Sequence, residues 1–144
     1  EDEYAANVFA KKVMNFTDYI AKNFDLKPDD FNATADKVCY HPPCHMRNNG
    51  IVEEPRALLK MAATYTPAAE EDTCCGFGGT FSVKFPELSA EMGRKKIREG
   101  EASGADVMIT DCPGCVMQLR GVATAQDSAL KVEHMAELLA RTMK

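Results

Sequence analysis

The sequence predicts an α/β domain: a small, mostly parallel sheet with flanking helices, Rossmann-like, with its cysteine loops at the strand carboxyl ends. Two observations carry this expectation. Short β-like runs alternate with longer helical patterns, as they do where parallel strands are joined by helical crossovers. Residues suited to chemistry recur just after those runs, at the edge where open parallel sheets bind ligands. The 144 residues suit a single core, and 45% apolar with 27% charged residues is the balance of a globular chain.

The elements follow in order. Phe9, Val13, Phe16, Ile20 and Phe24 recur at helical spacing, which predicts one amphipathic helix across residues 4–24. Residues 25–36, with Pro28 and few apolar side chains, read as a loop, so that 1–36 forms an N-terminal helix and linker and 37–144 the main domain. Lys37-Val38-Cys39-Tyr40-His41 reads as a strand stopped by Pro42-Pro43, and Cys44 to Gly50 as a loop. Glu54 to Ala63 reads as a helix with Pro55 in its first turn; Tyr65-Thr66 is β-like, but Pro67 limits it to an edge or a stub. A glycine-rich loop spans Cys74 to Ser82, and Pro86 opens a helix to about Glu101 with Leu88, Met92 and Ile97 inward. Ala105 to Thr110 is a strand, Cys112 sits where a helix N-cap would, and Pro113 suits the first position of a helix reaching about Val122. Leu130 to Glu133 is a final strand, and His134 to Met143 a terminal helix with Leu138 and Leu139 inward.

Seventeen Lys plus Arg against 22 Asp plus Glu gives a net charge of −5 without a basic block, so nucleic acid is not an expected partner. No apolar run approaches the roughly 18 residues of a membrane span, and the acidic start contrasts with a signal peptide. A cytoplasmic chain with no direct membrane insertion is expected. A start without Met, directly into a helical pattern, reads as a piece of a longer polypeptide.

The six cysteines are grouped: Cys39, Cys44, the vicinal pair Cys74-Cys75, and Cys112-Pro113-Gly114-Cys115. Vicinal cysteines are poor disulfide partners, and a chain of this length needs no staples, so a metal or redox site is expected. A C-x-x-C at a helix N-terminus favours thiolate, the form that binds metal, although a thioredoxin-like pair has the same spacing. Gly76, Gly78 and Gly79 would let the backbone approach inorganic sulfide and aim N–H groups at it. Tetrahedral zinc is complete with four ligands, whereas Cys44, Cys74, Cys75, Cys112 and Cys115 offer five, which favours an iron–sulfur cluster and leaves zinc open if one is a bystander. Cys39, inside a β run, reads as a buried small hydrophobe.

Tyr40-His41-Pro42-Pro43-Cys44-His45, then Cys74-Cys75-Gly76-Phe77-Gly78-Gly79-Thr80-Phe81-Ser82, then Cys112-Pro113-Gly114-Cys115 resembles the cysteine-rich CCG domain family over about residues 38–140. That family includes the cysteine-rich component of heterodisulfide reductase, lactate utilization protein A and the iron–sulfur component of glycolate oxidase; the wording from Gly76 to Glu87 is most similar to the lactate and glycolate branch. The resemblance implies a second module of a longer subunit, with Cys44, Cys74, Cys75, Cys112 and Cys115 as ligands of a 4Fe-4S cluster, cubane or non-cubane, or of zinc. It further implies an electron-transfer module of a flavin-linked 2-hydroxy-acid oxidoreductase, partnered by a flavin-bearing dehydrogenase subunit and a second CCG module. Such a module would be at most peripheral to the inner membrane, through its partner subunits. A heterodisulfide reductase-type catalytic subunit and a zinc-stabilised docking module are the alternatives.

His41 and His45 flank Cys44 and could complete a zinc site or hydrogen-bond the ligands, His45 being counted with the three glycines as a cofactor contact. His134 reads as a surface or capping residue. Met108, Met117 and Met135 read as core, and Arg94, Lys95 and Lys96 as a solvated helix face, with Arg47 and Lys84 as further cations available to an anionic cluster or substrate.

Overall fold

The structure, a computed structural model, describes residues 2–32 and 34–144. Its sheet has four parallel strands, β1 (Lys37–His41), β2 (Thr64–Tyr65), β3 (Val107–Thr110) and β4 (Lys131–His134), in the order β2-β1-β3-β4. Pro67 confines β2 to two residues at the edge, as expected. Every residue of β3 is buried, because helices cover both faces of a parallel sheet and leave no solvent side to alternate with.

On one face α4 (Glu53–Ala62) and α8 (Met135–Thr142) pack Leu59, Leu138 and Leu139 against Val38, Tyr40, Val107 and Ile109. On the other, α6 (Pro86–Ala102) and α7 (Pro113–Ala125) pack Ile97, Leu119 and Val122 against Cys39, Met108 and Val132. Strand alternation sends His41 to the same side as Cys39, towards α6 and α7. His134 caps α8 through its side chain, which accepts the Ala136 N–H at 3.1 Å.

The structure corrects several expectations. The single helix over 4–24 is two helices, α1 (Asp2–Ala10) and α2 (Phe16–Asn23), and Phe9, Val13, Phe16 and Phe24 are exposed. Asn15 interrupts the helix because its side chain accepts the Thr17 N–H at 3.0 Å and starts α2 anew. What α2 buries is Thr17 and Asp18; the Thr17 hydroxyl donates to the Asp111 carboxylate, which in turn accepts from the Tyr40 hydroxyl at 2.6 Å. Within 25–36 lies Phe31, 5% exposed and part of the core, drawn in by an antiparallel bridge to Met143. The expected loops after Pro43 and Gly79 each contain a short helix, α3 (Cys44–Asn48) and α5 (Thr80–Lys84). Leu88 and Met117 are exposed, on the outer sides of α6 and α7.

Lys96 is 1% exposed and not on a solvated face. Its ammonium donates to the carbonyls of Glu70 and Glu71 at 2.6 and 3.0 Å, to the Thr73 hydroxyl at 2.9 Å and to the Glu99 carboxylate at 3.0 Å. It therefore ties down the segment that leads into Cys74. Arg56 holds the same segment through Glu71, at 2.8 Å. Lys96→Met keeps the apolar stem but leaves these acceptors without a donor, so a loss of about 2 kcal/mol in urea denaturation is expected, with faster amide exchange concentrated in residues 70–75.

Candidate metal centre

Three chain segments converge at the carboxyl edge of the sheet. Cys44 begins α3 directly after β1, Cys74-Cys75 follow β2 through the segment held by Lys96, and Cys112 is the N-cap of α7 after β3. Cys44, Cys74, Cys75, Cys112 and Cys115 line one cavity of about 270 Å³, together with His41, His45, Arg47, Phe77, Gly78 and Gly79. Among the described residues no carboxylate lines it, and Arg47 is its one guanidinium. A negative assembly held by thiolates would meet no acidic repulsion there.

The inner wall is the tightest part. The Sγ atoms of Cys75 and Cys115 lie 3.3 Å apart, and a nitrogen of His41 lies with them in a group spanning no more than 4.8 Å. All three residues are buried, whereas Cys44 and Cys74 are exposed and Cys112 is half-buried. All six cysteines are free thiols. The hydrogen bond between the two sulfurs lowers the Cys75 thiol, against the opposing effect of burial and with help from His41. The same contact, with burial, pushes the Cys115 thiol up. The two sulfurs, in hydrogen-bond contact and close to the His41 imidazole, form a donor group suited to a thiophilic metal.

Phe77 closes the side of the cavity. Its ring packs so closely on the backbone at Gly114 that a Cβ there would stand 2.5 Å from the ring, which is why glycine occupies the third position of Cys-Pro-Gly-Cys. Of the three glycines read from sequence as cofactor contacts, Gly78 and Gly79 line the cavity and Gly76 does not. Gly76 has φ +84°, and its Cα lies so near α6 that a Cβ would come within 2.5 Å of the Ser89 carbonyl oxygen. Glycine there lets the Cys74-Cys75 turn lie against that helix, and its N–H donates to the Cys74 sulfur at 3.3 Å.

Cys39 lies elsewhere, 0% exposed in β1 among Ile97, Met108 and Leu130. Burial pushes its thiol up to about 12 from an ordinary 9.0. The unfolded chain therefore loses this proton above pH 9 while the folded chain keeps it to about 12, so folding stability falls across that window. Cys39→Ala should flatten the alkaline fall by up to about 1.4 kcal/mol per pH unit, as read from urea denaturation at successive pH values.

His41 belongs to the site on grounds that motif spacing only partly supplies. The sequence puts His41 and His45 on equal terms around Cys44, but the structure buries His41 at 2% exposure and leaves its Nδ1 sealed from solvent with no hydrogen-bond partner, while His45 is exposed. The available signal was parity: His41 is two residues beyond Cys39 in the same strand. An unpartnered imidazole nitrogen in such a place costs about 1–3 kcal/mol unless something at the site meets it. A buried imidazole with a nitrogen close to two free thiols, in a cavity free of carboxylates, is a donor set that fits a thiolate-ligated metal or iron–sulfur group.

The family profile described as CCG, cysteine-rich domain, matches residues 38–120. Lactate utilization protein A of Lysinibacillus sphaericus is 39% identical over 138 residues, covering 93% of this chain and 60% of that protein. Its counterpart in Bacillus subtilis is 38% identical over 139 residues, covering 93% of this chain and 57% of the relative. The Escherichia coli protein YkgE, itself uncharacterized, is 33% identical over 145 residues, covering 96% of this chain and 60% of its own length. The chain thus spans about 60% of the length of the curated relatives it matches.

Proposed function

This chain belongs to the CCG cysteine-rich domain family, and from that membership we propose that it is the iron–sulfur electron-transfer module of a lactate- or glycolate-type 2-hydroxy-acid oxidoreductase. The observation that carries the reading is the meeting of five thiols, from three separate segments, on one cavity: one more than a tetrahedral zinc requires. Cys44, Cys74, Cys75, Cys112 and Cys115 would hold the group, a 4Fe-4S cluster of cubane or non-cubane type. When bound, such a cluster supplies reversible one-electron chemistry.

The chain's own residues do the rest. The start of α7, with Cys112 at its cap and Cys115 in its first turn, brings the positive end of a helix dipole to two of the thiolates. Phe77 and the buried Cys75–Cys115 wall keep water from the inner side, and Arg47 offsets negative charge. The exposed Cys44 and Cys74 leave one side of the cavity close to solvent, where electrons from a partner would enter or leave. In this proposal the hydroxy acid is oxidised on a flavin-bearing partner subunit, and a second CCG module completes the longer protein. Among the described residues no helix is long and apolar enough to cross a membrane, and in this proposal any membrane contact runs through partners.

The test is reversible reduction. Protein reconstituted with iron and sulfide without oxygen should be brown, bleach on addition of a low-potential reductant and recover its colour with a quinone analogue; a colourless protein that neither takes nor yields electrons contradicts the proposal. A second reading, a zinc-stabilised docking module, rests on the compactness of His41, Cys75 and Cys115, whose donors within 4.8 Å match the spread around one tetrahedral ion with bonds of about 2.0–2.3 Å.

A further inference from the structure

His41 closes β1 and its Cα is in register with Thr110 of the central strand β3, so the ladder between the two fixes where the imidazole stands. The side chain is 2% exposed, lines the cysteine cavity and has a nitrogen within 4.8 Å of the sulfurs of both Cys75 and Cys115. Its Nδ1 is sealed from solvent without a partner. Five thiols already fill the ligand positions that the proposed cluster needs, so the imidazole is left with a different task. Hydrogen bonds to ligand sulfur draw electron density from the thiolate and raise the potential of the metal it binds.

We propose that His41 donates an imidazole N–H to the Cys75 sulfur when that sulfur carries metal, and so tunes the centre without holding it. This rests on the electron-transfer reading for its effect on potential, but the contact itself does not require iron. His41 is thus a positioning and tuning residue, acting through Cys75.

The experiment compares His41→Leu, which removes the donor, with His41→Gln, which restores an N–H, in two metal forms of the chain. In the iron–sulfur form, His41→Leu should keep the iron and sulfide content of the unaltered chain while its midpoint potential falls, and His41→Gln should recover part of the fall. In the cobalt(II) form, the sulfur-to-cobalt charge-transfer band should move to lower energy in His41→Leu and return in His41→Gln. An unchanged potential and unchanged band in His41→Leu overturn the proposal. So does a loss of metal as complete as that of Cys75→Ser, which would make His41 a ligand. If the unaltered chain takes cobalt but no iron and sulfide, the electron-transfer reading fails by itself, and the cobalt band alone decides for or against the His41 contact. Should His41→Leu not fold, ¹⁵N-histidine in the unaltered chain answers: weak nitrogen coupling to the metal supports a hydrogen bond, whereas coupling of ligand strength or none at all overturns it.

Discussion

Cys115→Ser is expected to lower metal retention more than about a hundredfold, beyond the 10–100-fold typical of a lost supporting contact, while Cys39→Ala leaves metal content unchanged. Both residues are buried cysteines, so burial does not separate them. What separates them is position. Cys115 stands 3.3 Å from Cys75 on the inner wall of the cavity, and losing its sulfur removes one of only two buried thiols there. Cys39 faces Ile97 and Met108 in the core, and alanine in its place costs packing alone. Metal content per folded chain, measured after gel filtration without oxygen, checks the pair. Equal retention by the two variants would mean that the cavity is not where metal binds.

The second large effect falls on a residue with no side chain, whose backbone N–H donates to the Cys74 sulfur at 3.3 Å. Gly76→Ala is expected to cost about 3 kcal/mol or more, lowering Tm by about 10 °C, and to loosen metal binding as well. The φ of +84° penalises any side chain, and the added Cβ would meet the Ser89 carbonyl oxygen at 2.5 Å and the Met92 Cβ at 2.9 Å. A backbone oxygen cannot swing aside, so the turn must lift from α6 and take Cys74 and Cys75 with it. Gly79→Ala is the control. It shares a positive φ, of +58°, but a Cβ there meets nothing within 4 Å, so only the backbone cost of about 1–3 kcal/mol should remain, without the clash. Thermal melts of the two variants, run with and without metal, separate backbone strain from the clash.

Particular residues explain why the sequence foretold so much of this fold and where it stopped. Pro42-Pro43, Pro86, Gly104 and Pro113 punctuate the chain, and the strand ends and helix starts they mark came within a residue or two, whereas α7, with no such mark at its far end, runs to Ala125, three residues beyond the expected Val122. Apolar spacing was less dependable. The stripe from Phe9 to Phe24 has helical period, yet period does not report burial, and Asn15 competes for the backbone and breaks it. Leu88 and Met117 fail for the same reason. Lys96 was illegible because its partners, the carbonyls of Glu70 and Glu71, come from a loop 25–26 residues away. The grouping of thiols was legible from cysteine spacing, and the topology brings the groups to one edge. The separate standing of His41 was only half legible, since a motif counts positions along the chain and not the faces of a sheet.

The most direct test of the central claim is the count of iron and acid-labile sulfide in protein purified and kept without oxygen. About four of each per chain is the result the five-thiol cavity predicts. Zinc near one per chain with no sulfide would contradict it, and would make the compact group of His41, Cys75 and Cys115 the core of a structural site instead.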